Sequence, residues 1–258
     1  MIFRLYIGVA ILVHKELGPD YADTFERQDS GIVNVAMEEF TSLGVVQRPD
    51  ERMLHYVLYD PTTGESRRQE LEDHFEQVAS FVLNDSVPDS IHVQFNIAKN
   101  VLVYTWFEYS LFPVAALQAF TTLEFALRER LGERVIAELK KQRKKGLYAY
   151  IEYSIEQGWI NNEDFSAWHR TPMLRAKDEY LIKKINEMDE MGLDSMEVDF
   201  DEAEMPDTNT IDYLAILLRT ANKIRNRHAH GEYILHPPST WHTFEMCADF
   251  INAIYRVN

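Results

Sequence analysis

A run of apolar residues with helical spacing, between residues 114 and 131, constrains the fold of this chain more than any other feature. Ala116, Phe120, Leu123 and Leu127 follow one another at intervals of four, three and four residues, which places them on one face of an α-helix. Gly132 is expected to end this helix. Because a helix with one apolar face needs other elements to cover it, the sequence predicts a helical core around this segment.

Further helices are predicted by the same spacing rules. They cover residues 69–83, 148–157, about 161–191 with an interruption at Pro172, about 209–230, and the segment from Thr240 onward. Gly158 and Gly231 are expected to end two of them. Four or five helices joined by short links favour an up-and-down bundle.

The first hundred residues show mixed patterns. They predict a helix over 31–43, strands over 53–60 and 91–97, and a turn over 61–64. The predicted fold is therefore mainly α. An up-and-down helical bundle covers residues 96–258, and a mixed, mostly helical N-terminal extension of unknown type covers residues 1–95.

The charge of the chain is unevenly distributed. The formal net charge is -16 over 258 residues, and a field of that sign repels nucleic acid. Residues 128–145 are nevertheless rich in Lys and Arg, whereas residues 187–207 are acidic and contain neither. The basic run is expected to be a solvated helix surface or a contact for the RNA backbone. The acidic stretch over 192–207 is expected to be a linker.

The single cysteine and the apolar N-terminus bear on the location of the protein. Cys247 lies in an apolar stretch, so a buried thiol is expected and an internal disulfide is excluded. The apolar segment 1–13 is too short to span a bilayer and has no cleavage site of small residues. A buried strand or helix is expected there. The sequence predicts a cytoplasmic protein that makes no membrane contact.

The helix predicted over 209–230 carries the residues with the clearest chemistry. On a helical wheel its apolar side consists of Leu214, Leu217, Ala221 and Ile224, and His228 continues this side as an expected structural histidine. The opposite side carries Arg219, Lys223, Asn226 and His230. Arg225 lies between the two sides, and its long side chain can turn toward either.

These residues form the parts of a site for phosphodiester chemistry. The guanidinium of Arg225 can bind phosphate through two parallel hydrogen bonds. The imidazole of His230 can transfer the proton of a ribose 2′-hydroxyl or of a leaving oxygen. Asn226 is expected to orient either group or the substrate, while Arg219, Lys223 and Arg227 are expected to bind substrate. Such a site needs no metal and no cofactor.

One histidine does not readily serve as both acid and base. A symmetric homodimer would bring two copies of the helix together and supply both groups. The sequence therefore predicts RNA as the ligand and a second copy of the chain as a partner.

The pattern Arg225-Asn226-x-x-x-His230, followed by Gly231, resembles the signature of the HEPN superfamily. The segments 123–131 and 147–160 are similar to the first and second long helices of bacterial members, and the resemblance covers about residues 100–258. It implies an HEPN-like dimeric helical bundle. In many members that bundle is a metal-independent endoribonuclease of toxin–antitoxin, phage-defence or RNA-processing systems. It also implies catalytic roles for Arg225 and His230, a supporting role for Asn226, and an antitoxin or another protein as a partner.

Other classes of function remain open. A buried Arg225 paired with Glu124 or another carboxylate would favour a non-catalytic helical module that binds a partner or a nucleotide. A metal site would have to use the nearby histidines His228, His230, His236 and His242, which lack a recognisable ligand spacing. Neither a nucleophile elbow nor a glycine-rich phosphate loop occurs in the sequence.

Overall fold

The computed structural model describes residues 2–6, 42–60, 64–206, 208–229 and 237–256. These residues form seven α-helices and four short strands. In chain order the elements are β1 (Ile2–Tyr6), β2 (Val57–Tyr59), β3 (Ser66–Arg68), α1 (Leu71–Ala79), α2 (Asp89–Tyr104), α3 (Phe112–Lys141), α4 (Gly146–Glu156), α5 (Ser166–Glu190), β4 (Ser195–Asp199), α6 (Tyr213–Ala229) and α7 (Pro237–Ile254). The protein is mainly α, as the sequence predicts.

The chain divides into two compact units, each made of two segments that alternate along the sequence. The larger unit consists of Ala36–Ser166 and Asp212–Asn258, and the smaller unit of Met1–Val35 and Ala167–Ile211. Helix α2 runs through residue 95, where the sequence analysis places a boundary. That residues 96–258 form an HEPN-like domain stays a prediction.

Helix α3 is the centre of the larger unit and packs most extensively against α7 and α2. The four residues of its predicted stripe, Ala116, Phe120, Leu123 and Leu127, are all buried. The helices α2 and α7, which pack against α3, contribute the fully buried aromatic rings of Phe95, Phe244 and Phe250. The spacing rule therefore identifies the core-facing side of this helix correctly.

The same helix has the length and composition of a membrane span. Within the described part of the chain, Tyr109–Lys141 is long enough and apolar enough to cross a membrane. Half of its most apolar 18-residue segment is buried inside the structure. Its buried side chains, such as Phe120 and Leu123, lie in the core of the larger unit. This combination is typical of the core helix of a soluble protein.

Gly132 ends the predicted helix, and a second helical segment follows it across a kink within α3. Its backbone angles are φ 72° and ψ 162°, a conformation that is almost exclusive to glycine. A Cβ atom built at Gly132 would meet no other atom within 4 Å. The space is therefore open, and only the backbone conformation requires glycine.

We expect Gly132→Ala to lower the free energy of unfolding by about 1–3 kcal/mol, the cost of holding a residue with a Cβ in this conformation. Urea denaturation followed by circular dichroism measures the change. Gly44→Ala is the matched control, since its Cβ also meets no atom within 4 Å and its φ is not positive. A Gly132→Ala protein as stable as the Gly44→Ala protein would contradict the strain argument.

Several predicted elements need correction. Residues 91–97 belong to helix α2 and not to a strand. Their alternating pattern is misleading because Ile91, Phe95, Ala98 and Leu102 are the buried positions, and these have helical spacing. Helix α7 begins at Pro237 rather than at Thr240, since proline is readily accommodated in the first turn of a helix.

The N-terminal predictions have mixed outcomes. The strand predicted over 53–60 is a short 3₁₀ turn, Met53–His55, followed by β2. Strands β2 and β3 pair antiparallel, and Gly64, at the end of the predicted turn, has a φ of 74°. Residues 2–6 are a strand. The helix predicted over 31–43 lies almost entirely outside the described residues.

The acidic stretch is part of the smaller unit and is not simply a linker. Residues Ser195–Asp199 form β4, which pairs antiparallel with β1, and Arg4 lies opposite Glu197 in the register. Val198 is buried together with Leu181 and Met188 of α5. Met196, Val198 and Phe200 alternate with polar residues, so a strand pattern is present within the acidic composition. Helix α5 continues through Pro172, so the predicted interruption there is wrong.

Candidate functional site

Helix α6 of the larger unit carries the candidate site, and the start of this helix is well anchored. The backbone N–H of Leu214 donates to Asn162 Oδ1 at 2.9 Å, and that of Ala215 donates to Asp212 Oδ1 at 3.0 Å. These two acceptors satisfy N–H groups that have no partner within the helix. Tyr213, Leu217 and Ala221 form its buried side. Leu214 and Ile224 are half-buried, so the predicted apolar side is confirmed in its central part.

The predicted polar side of α6 is confirmed where side chains are described. Arg219 and Lys223 are exposed, and Asn226 is half-buried. Within the described residues, neither Arg219 nor Lys223 makes an ion pair or a side-chain hydrogen bond. Both remain available for an anionic ligand.

Arg225 reaches across to a carboxylate on another helix. Its Nη2 donates to Oε2 of Glu124 on α3 at 3.0 Å, and its Nη1 donates to Oδ1 of Asn226 at 3.2 Å. The Arg225 side chain keeps 35% of its surface exposed, and that of Glu124 keeps 23%. Two of the five N–H donors of the guanidinium are therefore used, and the rest of this half-exposed group can meet a ligand.

Several candidate residues lie outside the described part of the molecule. Helix α6 is described to Ala229, so His230 and Gly231 lie beyond it. The side chains of Arg227 and His228 are likewise not among those described. The predicted approach of Arg225 and His230 to one ligand therefore stays a prediction.

The alternative of a metal site concerns the same region, which contains His228, His230, His236 and His242. Of its four histidines only His242 has a described side chain, with Nδ1 at 3.9 Å from Glu245 Oε2 and Nε2 at 3.4 Å from Tyr213 Oη. Among the described residues, no group of three or more potential ligands is placed to hold a metal ion. Cys247 is fully buried, and burial raises the pKa of its thiol, which agrees with the predicted inert side chain.

The basic run lies at the end of α3 and the start of α4, in the same unit as Arg225. Lys144 Nζ donates to Glu152 Oε2 at 2.7 Å. Seven cations of this run are exposed and make no ion pair with the described residues: Arg128, Arg130, Arg134, Lys140, Lys141, Arg143 and Lys145. The helix-surface interpretation accounts for Lys144, whereas these seven keep their charge available to an anion.

Comparison with known proteins does not identify a family or a function for this chain. No protein-family model, no curated protein and no solved structure matches this chain.

Two features of the larger unit were not selected from the sequence. The apolar spacing in α1 places Leu71, Phe75 and Val78 together, but Phe75 is 56% exposed and His74 is fully buried. His74 Nε2 lies 2.9 Å from the backbone oxygen of Leu102, and that hydrogen bond makes its burial feasible. The contact joins residues far apart in sequence and leaves no local sequence signal.

Proposed function

We propose that this protein is a metal-independent endoribonuclease of the HEPN type, with a site built around Arg225. The observation that carries the proposal is the arrangement of this arginine. Glu124 and Asn226 fix its guanidinium in place, while about a third of the side chain stays exposed. A fixed and accessible guanidinium is the group that a phosphorane needs. The resemblance of the Arg225-Asn226-x-x-x-His230 pattern to the HEPN signature supplies the reaction class.

The proposed reaction is attack of the RNA on its own backbone. The ribose 2′-oxygen forms a bond to phosphorus as a base removes its proton, and the bond from phosphorus to the 5′-oxygen breaks as that oxygen gains a proton. His230 is the proposed proton-transfer group, Arg225 neutralises the phosphorane, and Asn226 orients Arg225. The products are a 2′,3′-cyclic phosphate and a 5′-hydroxyl. A second copy of the chain would supply the second histidine.

Binding of RNA to so acidic a chain requires local positive charge. Arg219 and Lys223 on α6 are exposed and unpaired among the described residues, and Arg227 is the third proposed substrate contact. The exposed cations between Arg134 and Lys145 add a basic surface in the same unit. Because contacts of this kind release counterions, we expect the affinity for RNA to fall steeply as salt increases.

The test is cleavage of mixed RNA by the purified full chain in EDTA. We expect Arg225→Ala and His230→Ala each to lower the cleavage rate about a hundredfold or more, the usual contribution of such groups. Arg48→Ala and His55→Ala remove the same residue types at exposed positions and are expected to cleave like the wild type. RNA with a 2′-deoxy nucleotide at the cleaved position should remain intact. Absence of cleavage by the wild type, or equal cleavage by all variants, would reject the enzyme.

The Arg225–Glu124 ion pair favours a second candidate function, a non-catalytic helical module that binds a partner or a nucleotide. In that case the arginine serves to join α3 and α6. A half-exposed ion pair contributes only about 0–1 kcal/mol to stability. A purely structural role would therefore stabilise the protein very little. The free energies of unfolding of the wild type, Glu124→Gln, Arg225→Ala and the double variant decide between the two functions. A coupling well above about 1 kcal/mol, without RNA cleavage, would favour the module.

A further inference from the structure

An open apolar groove lies on the larger unit between α1 and the C-terminal end of α2. Its volume is about 420 Å³. The apolar side chains that line it are Leu71, Phe75, Val103, Tyr104 and Phe107. Phe75 is 56% exposed and Tyr104 is 61% exposed. Aromatic rings that stay this exposed side by side are typical of a surface that another molecule covers.

The apolar surface continues from the groove along α2. Val93 and Ile97 are also exposed on this helix, at 56% and 44%, and Tyr104 lies on the same helical face as both. The strip from Val93 to Tyr104 therefore extends about 16 Å along the helix axis, since each residue adds about 1.5 Å. This is the length of a contact made by about three turns of a partner helix.

The α1 side of the groove is acidic. Glu72 and Glu76 both line it, and they are one helical turn apart on the face that carries Phe75. Within the described residues, neither carboxylate makes an ion pair or a side-chain hydrogen bond, whereas the nearby Asp73 is paired with Arg67. The groove thus combines exposed aromatic rings with two carboxylates that make no ion pair among the described residues, although the charge of Arg67 reaches Glu76.

We propose that this groove binds an amphipathic helix of a partner protein that carries Lys or Arg beside its apolar face. The apolar residues of that helix pack on Phe75 and Tyr104, and its cations meet Glu72 and Glu76. Charge complementarity selects this occupant. In a symmetric contact with a second copy of the chain, Glu72 and Glu76 would face the same two carboxylates of that copy. A small molecule would be poorly enclosed, since the two rings are more than half exposed.

The test uses a fluorescein-labelled amphipathic Leu/Lys peptide of about 18 residues, or five turns, and the same peptide with Glu in place of Lys. Fluorescence anisotropy measures binding to the full chain. We expect the Leu/Lys peptide to bind and the Leu/Glu peptide to fail. Phe75→Ser and Tyr104→Ser should each weaken binding about tenfold, as exposed aromatic anchors do. The double variant Glu72→Gln and Glu76→Gln should weaken it about threefold and reduce its salt dependence.

Matched controls separate the groove from general attraction to an acidic protein. Tyr148→Ser changes an exposed tyrosine elsewhere in the same unit, and Glu133→Gln with Glu138→Gln removes two exposed carboxylates from α3. These variants should bind like the wild type. Because Glu72 and Glu76 are exposed, their double variant tests the site even if an aromatic variant folds poorly.

Four results would overturn the proposal. They are no binding of the Leu/Lys peptide, equal loss of binding in the control variants, no loss in the groove variants, and a wild-type dimer that Tyr104→Ser converts to a monomer. Light scattering after gel filtration detects the last of these, which would assign the groove to a second copy of the chain. None of them depends on RNA cleavage, so this proposal and the enzymatic one fail separately.

Discussion

Replacing Phe244 with alanine is expected to lower the free energy of unfolding by about 3–5 kcal/mol, the usual cost of deleting a fully buried phenyl ring. Phe244 of α7 is completely buried. Its ring centroid lies 5.6 Å from that of Phe81 and 5.9 Å from that of Phe95 on α2. The truncation therefore removes transfer energy and also the ring contacts that join these segments.

Urea denaturation followed by tryptophan fluorescence measures this loss. Phe75→Ala is the matched control because it deletes the same atoms from a ring that is 56% exposed. We expect that control to change stability by less than about 1 kcal/mol. Equal effects of the two substitutions would mean that α7 is not packed in the core of the larger unit. The comparison thus tests the arrangement of α2 and α7 directly.

The sequence predicts those parts of the fold that depend on local spacing. The apolar intervals of α3 identify its buried side because three- and four-residue steps return to one face of a helix. Gly158 is expected to end a helix, and it follows α4 with a φ of 65°. In each case the physical cause lies within a few residues of the segment itself.

The predictions from sequence are wrong where contacts between distant residues determine the secondary structure or the burial of a side chain. Acidic composition predicts a linker over 192–207, but Ser195–Asp199 pairs with β1, which is far away in the sequence. Phe75 is apolar and shares the helical spacing of Leu71 and Val78, but it is 56% exposed. His74 is buried instead, since Trp106 and Trp241 surround it with ring centroids at 5.7 and 5.4 Å. Such neighbours are not visible in a local pattern.

In the candidate site, too, local spacing predicts some features and tertiary contacts determine the others. Helical spacing assigns Arg219 and Lys223 to the polar side of α6, and the structure agrees. It leaves Arg225 between the two sides, and only the fold shows that its guanidinium turns to Glu124, which is 101 positions away. The sequence allows that pair as one option among several, because the partner of Arg225 depends on how α3 and α6 pack.

His74 is expected to make the stability of the protein fall in mild acid. Burial lowers the pKa of its imidazole below the ordinary value of 6.5. Nε2 lies 2.9 Å from the Leu102 oxygen, which can only accept, so Nε2 carries the proton of the neutral ring. Nδ1 is buried and has no hydrogen-bond partner among the described residues. A second proton would place an unpaired charge in the core.

The direction of the effect follows from proton binding in the two states. The unfolded chain takes up a proton on this histidine as pH falls through about 6.5, whereas the folded chain does so only at its lowered pKa. The stability that depends on neutral His74 is therefore complete above about pH 6.5. It is lost as pH falls from there toward the folded pKa, with a limiting slope of about 1.4 kcal/mol per pH unit for one proton.

The measurement is the free energy of unfolding between about pH 8 and pH 5, where unperturbed histidines titrate, for the wild type and for His74→Gln. Carboxylates of this acidic chain also respond to pH, so the difference between the two curves isolates the histidine. Glutamine can donate to the Leu102 oxygen but takes up no proton in this range, so the His74→Gln curve should fall less steeply. His55→Gln changes an exposed histidine and should follow the wild type. Parallel curves for wild type and His74→Gln would show that His74 titrates equally in the folded and unfolded chains, and the burial argument would then be wrong.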